Sequence, residues 1–331
     1  MLRRALIVLV VALIASSLVS YWYTMSLPGR PHVGPLPEAT SEELRIAESL
    51  RRHVTAIASV PHNVHYHAAL EAAADYLERE LRRQGHAVER QEFQAEGKPY
   101  RNLEIIIEPK GGPNTVRKTV VLGAHYDSFG DSPGANDNGS GAAMLLELSR
   151  LMKDASLDST RLRLAFFVNE ELPFWGTPYM GSRRYARLLF DRKEPVRAML
   201  SLETLGYYSD VAGSQSYPTP INLFMPHTAN FITFTGTLEA RALVHEVVAS
   251  FRRHTAFPTI GGVAPGFIKG IDWSDHKSFS EVGFPAIMVT DTALYRYPHY
   301  HRPTDTPDKL DYERLARLTK GIERVARDLL R

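Results

Sequence analysis

The sequence predicts an α/β domain: one three-layer unit built on a mostly parallel, doubly wound sheet with helices on both faces, preceded by an N-terminal transmembrane helix. Three observations predict it. From about residue 41 onward, apolar runs of strand length alternate with segments of helical period. One of those runs, residues 162–168, is apolar at nearly every position, as a strand buried on both faces reads. Several runs end directly in His, Asp or Glu, at the edge where open α/β sheets keep their ligand sites.

Arg3 and Arg4 precede an uncharged apolar run, residues 5–23, that closes on Tyr21, Trp22 and Tyr23. The run has the ~20 residues that cross a bilayer as a helix. Positive charge before it and aromatics after it suit an N-in orientation, with the remainder on the periplasmic or extracellular side. A cleaved signal peptide is the competing reading. The apolar core is long for one and no small-x-small cleavage site follows, so an uncleaved anchor over residues 1–25 is expected. Residues 27–37 hold four prolines and two glycines, an extended linker composition, which places a linker at residues 26–40 and the folded domain at residues 41–331.

Within that domain, Ser41 with Glu42 and Glu43 is read as the cap of a helix over residues 41–58. Residues 65–84 carry Leu70, Ala73, Ala74, Leu77 and Leu81 at helical spacing and stop at Gly85. Strands are expected at residues 86–93, 102–108 and 118–124. A helix over residues 139–153 turns Met144, Leu145, Leu148 and Leu151 inward. Then follow a strand at 162–168, a helix at 177–190, strands at 196–202 and 231–235, a helix at 238–253, a strand at 286–290 and a closing helix at 311–330.

Composition excludes several functions. The chain has 331 residues and no cysteine, which rules out disulfides, thiolate metal sites and a cysteine nucleophile. Any metal is therefore held by His, Asp and Glu. With 39 basic against 37 acidic residues, nothing points to nucleic acid as a partner. No Gly-x-Ser-x-Gly elbow, phosphate loop or dinucleotide fingerprint occurs. His245-Glu246 opens like the zincin helix motif, but Ala249 stands where its second His belongs. Asn138-Gly139-Ser140 fits a glycosylation sequon, yet it lies inside the turn from Gly134 to Gly141, where a glycan could not fit.

Five clusters sit where strands end: His125-Tyr126-Asp127; the turn from Gly134 to Gly141, with Asp137 at its centre; Asn169-Glu170-Glu171; Glu203; and Tyr300-His301-Arg302-Pro303-Thr304-Asp305-Thr306. Each alone has an ordinary explanation, as solvated surface, turn residue or helix cap. Together they bring several carboxylates to one sheet edge, where they repel unless cations neutralise them.

In this order the motifs resemble the co-catalytic two-zinc aminopeptidases, a superfamily that also holds glutamate carboxypeptidase II, the transferrin receptor and the glutaminyl cyclases. The resemblance covers about residues 45–331. It implies a zinc-dependent exopeptidase that acts on peptide substrates with two Zn²⁺ per chain. His125 and Glu203 would ligate one zinc and Glu171 and His301 the other. Asp137 would bridge the two, and Glu170 would be the general base acting on a water between the metals. Metals about 3.5–4 Å apart can clamp attacking water and scissile carbonyl together. Asp127 would polarise His125 through its free ring nitrogen. The family more often has Asp at the position of Glu203, which bears on the geometry of that half-site. Ser274, Asp275 and His276 match a late family motif and are expected at the substrate pocket. Tyr295 or Tyr297 would supply an oxyanion hydrogen bond, while Phe174, Trp175 and Phe267 are candidate apolar walls. A single-zinc cyclase and a non-catalytic receptor-like domain are the alternatives. Retention of both His125 and Asp137 argues against the first, and the complete ligand set argues against the second. Aminopeptidase action is the leading reading, with carboxypeptidase and dipeptidase action open.

Overall fold

Strands β3 (Lys118–His125) and β4 (Thr160–Phe167) show why the sheet forms where it does. Along β3, Val120, Leu122 and Ala124 pack into one hydrophobic cluster, while Val121 packs into a second. Along β4, Leu162, Leu164 and Phe166 share the first cluster and Ala165 and Phe167 the second. Alternation with period two therefore buries both faces, and each buried Leu or Phe contributes about 1.5–3 kcal/mol.

The computed structural model describes residues 2–219 and 221–331. In chain order the elements are α1 (Leu2–Met25), α2 (Ser41–Ile57), α3 (His67–Arg83), β1 (Glu89–Ala95), β2 (Lys98–Ile107), β3 (Lys118–His125), α4 (Ser140–Met152), β4 (Thr160–Phe167), α5 (Gly181–Asp191), β5 (Val196–Glu203), β6 (Ile232–Gly236), α6 (Arg241–His254), β7 (Thr259–Val263), α7 (His276–Glu281), β8 (Ala286–Thr290), α8 (Ala293–Arg296) and α9 (Tyr312–Leu329). They build a single α/β domain on one eight-stranded sheet of order β1-β2-β4-β3-β5-β8-β6-β7. Helices α2, α4, α6 and α9 pack together on one face, and α5 with α7 on the other.

The sheet is mixed: among the described residues four strand pairings, β6–β7 included, are parallel and three are antiparallel, so the expected parallel core is present and the outer strands depart from it. The inner strands β4, β3, β5 and β8 are parallel, but β1–β2, β2–β4 and β8–β6 are antiparallel. The cause on one side is a tight hairpin at Glu96-Gly97, where φ is 48° and 75°. Two successive left-handed residues reverse the chain within two positions. Strand β7 was not anticipated, because Gly261 and Gly262 remove the side chains that signal a strand. The cap of α2 is Thr40, which exchanges hydrogen bonds with Glu43 as a capping box, and not Ser41.

Helix α1 exposes Leu6, Ile7, Leu9, Val10, Val11, Leu13, Leu18 and Val19. Among the described residues no helix is long and apolar enough to cross a membrane.

Candidate metal centre

Three adjacent strands deliver the site. His125 is the last residue of β3, Glu170 and Glu171 follow β4, and Glu203 ends β5. Parallel neighbours end on the same edge, so register alone brings these groups together. Asp137 comes from the turn that opens α4, and His301 from the loop between α8 and α9. His125 Nε2 lies 3.4 Å from Asp137 Oδ1 and 3.3 Å from Glu203 Oε2. His301 Nε2 lies 3.0 Å from Asp137 Oδ2 and 3.3 Å from Glu171 Oε1. Two trios of ligand atoms result, His125–Asp137–Glu203 and Asp137–Glu171–His301, each within 4.8 Å and both using Asp137. The two oxygens of Asp137 face different histidines, as a shared ligand requires.

The residues fit a divalent cation pair. Glu171 Oε1 is buried and accepts no hydrogen bond, although its site is crowded with polar groups. All donors are imidazole nitrogens and carboxylate oxygens, the set that zinc accepts when cysteine is absent. Electrostatics agree. Burial pushes Glu170 well above the ordinary carboxylate range, Glu171 and Glu203 adding to the effect against the pull of His125. Burial and then Asp137 raise Glu171 to about 7. Burial works against a charged His301, yet Asp137 and Glu171 hold it up at about 10. His125 is likewise raised by Glu170 and Glu203 despite its burial. Asp137, though buried, is held below its usual range by His125 and His301.

A consequence follows for the metal-free protein. At pH 7 the raised imidazoles carry protons that must leave before they can ligate, and Glu171 is partly protonated. Zinc added to the chelator-stripped chain is therefore expected to release protons, at least one per imidazole, and to bind more weakly as pH falls. Titration in weakly buffered solution with a pH indicator measures this. Zinc uptake at pH 7 with no acidification would contradict the protonation assignment.

The surrounding residues hold this arrangement still. Asp127 meets the free ring nitrogen of His125, with its backbone carbonyl as the acceptor at 3.1 Å from Nδ1 and its carboxylate Oδ1 standing off at 3.6 Å, where it helps raise the imidazole. The carboxylate also accepts the backbone N–H groups of Glu170 and Glu171, both at 3.1 Å. It thus sets the loop that carries the candidate base. Asp127→Asn is expected to lower zinc affinity or turnover by about 10–100-fold, because one oxygen becomes a donor facing a donor. Equal values in parent and variant would show that the loop holds itself.

Asp305 plays the matching part opposite. Its oxygens accept the N–H groups of Asn136 and Asp137 at 2.9 and 3.2 Å. Asn138, the sequon residue, is buried with its amide on Leu202 and Thr204. Asn169, Thr204 and His301 have φ of 62°, 45° and 57°. These left-handed residues beside the ligands cost energy, most for the β-branched Thr204, and such residues cluster at functional sites. His301 is also sandwiched between the rings of Phe129 and Tyr300, at 4.0 and 3.9 Å.

The expected pocket residues are rearranged. Ser274 Oγ donates to Glu203 Oε2 at 2.7 Å and so steadies a candidate ligand. Asp275 and His276 are wholly buried behind it, His276 Nε2 lying 2.8 Å from the Ile271 carbonyl. None of the three lines the neighbouring cavity. Tyr297 points away, donating to Asp305, and Tyr295 donates to the Lys269 carbonyl while its ring lines the cavity. Phe174 packs on Tyr100, and Phe267 is 86% exposed; with Trp175 they lie outside the cavity wall.

That cavity is about 160 Å³ and runs from Glu203 and Tyr300 into a chamber walled by Met25, Ile260, Ile271, Trp273 and Met288. Residue spacing could not find it, because its walls come from irregular loops and from β7. Tyr300 was the aromatic to single out. Burial, and then the carboxylates of Asp137, Glu171, Glu203 and Glu170, push its hydroxyl well above the usual phenol range, so it stays a neutral donor beside the cluster.

Comparisons with known proteins bear on the family and the fold. The model of peptidase family M28 matches residues 104–326. The chain is 36% identical over 262 residues to the uncharacterized protein YfbL of Escherichia coli, covering 76% of this chain and 78% of YfbL. The zinc aminopeptidase BSAP from Bacillus subtilis superimposes with a TM-score of 0.66 at 16% identity, covering 88% of this chain and 96% of BSAP. A Fimbriiglobus ruber glutaminyl cyclase does so at 0.60 and 17% identity, covering 91% and 99%. These two likenesses show the fold alone. The chain spans about half the length of the curated leucine aminopeptidases it matches. A ligand-bearing sheet edge in an eight-stranded α/β domain and a family match across two thirds of the sequence lead to one assignment: the chain belongs to peptidase family M28 and is a metallopeptidase.

Proposed function

We propose that the protein is a two-zinc aminopeptidase that removes apolar N-terminal residues from peptides. The observation that carries this is the pair of ligand trios joined through Asp137, with Glu170 beside them and an apolar cavity opening at Glu203. His125, Asp137 and Glu203 would hold one ion, and Asp137, Glu171 and His301 the other. Bound zinc supplies Lewis-acid polarisation of the scissile carbonyl and lowers the pKa of water.

The chain's own groups do the rest. Glu170 takes the proton of the attacking water and delivers it to the leaving amine. Its Oε2 lies 3.8 Å from His125 Nε2, and its elevated proton affinity suits an acceptor that must later donate. The Tyr300 hydroxyl donates to the oxyanion as it forms. The surrounding carboxylates attract a free α-ammonium group, which favours cleavage at the N-terminus. The cavity receives the first side chain. A 150 Å³ apolar cavity in another protein, about this size, takes up benzene, so a leucine or phenylalanine side chain suits this one.

Zinc analysis of the full chain, combined with a panel of aminoacyl chromogenic substrates bearing free or blocked N-termini, tests the reading. Two zincs per chain at saturation and cleavage of free N-termini only are expected. One zinc with cyclisation of N-terminal glutamine and no hydrolysis would put the cyclase reading in its place.

The same proposal extends to location. Arg3 and Arg4, the uncharged run of residues 5–23 and the exposed apolar side chains between Leu6 and Val19 support a membrane anchor over residues 1–25, a linker over 26–40 and an extracytoplasmic domain over 41–331. Protease accessibility of the domain in intact cells, with recovery in the membrane fraction, is the expected outcome. Recovery in the soluble fraction of lysed cells would remove the anchor.

A further inference from the structure

We infer that Met25, at the end of the N-terminal helix, is a wall of the side-chain cavity and sets its selectivity, so that the segment before the α/β domain belongs to the substrate site. The inference rests on reading that cavity as the place of the substrate's first side chain. Met25 lines the cavity together with Ile260, Gly262 and Met288. It is half-buried there, as is Thr24, whereas Tyr21, Trp22 and Tyr23 just before them are exposed.

Several independent contacts hold the segment in place. Arg241, at the start of α6, donates to the Tyr23 carbonyl at 2.7 Å and to Ser26 Oγ at 3.2 Å. Its guanidinium also lies 4.6 Å from the centroid of the Tyr23 ring, a cation–π contact. Arg252, on the same helix, donates to the carbonyls of Pro28 and Gly29 at 2.8 and 3.1 Å. Arg241 thus caps the last turn of α1, and Arg252 caps carbonyls of the segment that follows it.

The strand beneath is shaped for the same contact. A Cβ at Gly262 would stand 2.6 Å from the Thr24 carbonyl and 3.1 Å from Met25 Sδ, and the residue's φ of 155° is one that side chains rarely adopt. Bare backbone at this position lets α1 come down onto β7, and Met25 then closes the cavity wall. The methionine suits such a wall, since its thioether fills irregular apolar space and adapts to what it meets.

Two substitutions in the full chain test the assignment. Met25→Trp fills the cavity and is expected to lower the ratio of kcat/KM for leucyl over alanyl p-nitroanilide at least tenfold, mainly through KM, as a changed apolar pocket does. Met25→Ala enlarges it and is expected to shift the preference towards phenylalanyl and tryptophyl substrates. Zinc content measured alongside separates pocket from metal effects. If both variants are active with the parental ratios, Met25 is no part of the pocket and the inference is overturned. If the parent cleaves no aminoacyl substrate, the aminopeptidase reading fails by itself, and calorimetric binding of free L-leucine decides the wall. Weaker binding by Met25→Trp than by the parent upholds it; equal binding, or none to the parent, overturns it.

Discussion

Glu170→Gln is expected to lower kcat by about 10²–10⁴, the range over which a positioned general base acts, while the chain keeps its full zinc content. The substitution is nearly isosteric and leaves the Glu170 N–H in place on Asp127, so the loop after β4 should not move. What disappears is the carboxylate that accepts the water proton. Glu170 belongs to neither ligand trio, which is why metal and turnover should separate. Metal analysis and steady-state kinetics on one preparation settle the matter. Turnover within a few-fold of the parent at equal zinc would take the base role from Glu170 and direct attention to Asp275, another buried carboxylate near the cluster, which burial raises to about 7.

Asp137→Ala is expected to have the larger structural effect, because both trios lose a member at once. Metal chemistry contributes several kcal/mol at such a site, so a loss of at least about 10³-fold in kcat/KM follows. The two histidines also lose the carboxylate between them, leaving His125 raised by Glu170, Glu203 and Asp127 and His301 by Glu171. Zinc should stabilise the parent against heat, by about 4 kcal/mol at a thousand times its dissociation constant, and should leave the variant's melting point almost unmoved. Replacing Glu171 alone removes one trio, and half the zinc is expected to remain. A variant at Asp137 that still takes up two ions and melts higher with zinc would show that the trios are independent and not joined.

How much of this could be read in the chain depends on the kind of signal. The strands that bear His125, Glu170 and Glu203 are apolar runs ending in polar groups, and their burial on two faces leaves a pattern in sequence. The convergence of the five candidate ligands was legible for the same reason, since parallel neighbours share an edge. Strand β7 was not, because Gly261 must admit the Phe234 carbonyl and Gly262 the end of α1, and glycine carries no periodicity. The mixed sheet escaped because two residues, Glu96 and Gly97, decide the direction of β2, and nothing in the apolar pattern of either strand records it. Tyr300 could not be told from Tyr295 and Tyr297 by spacing, since the left-handed backbone at His301 redirects the chain just there. Asp127 was located correctly beside His125, but the partners of its carboxylate are backbone amides, which no side-chain motif reveals.

The docking of α1 on β7 bears on how the enzyme is handled. A shortened chain beginning after residue 30 is the natural choice for soluble preparation, yet it lacks the thioether that completes the chamber and the carbonyls that Arg241 and Arg252 cap. Such a preparation would offer an open trough where the intact chain has a closed pouch, and its ranking of peptides would describe the trough.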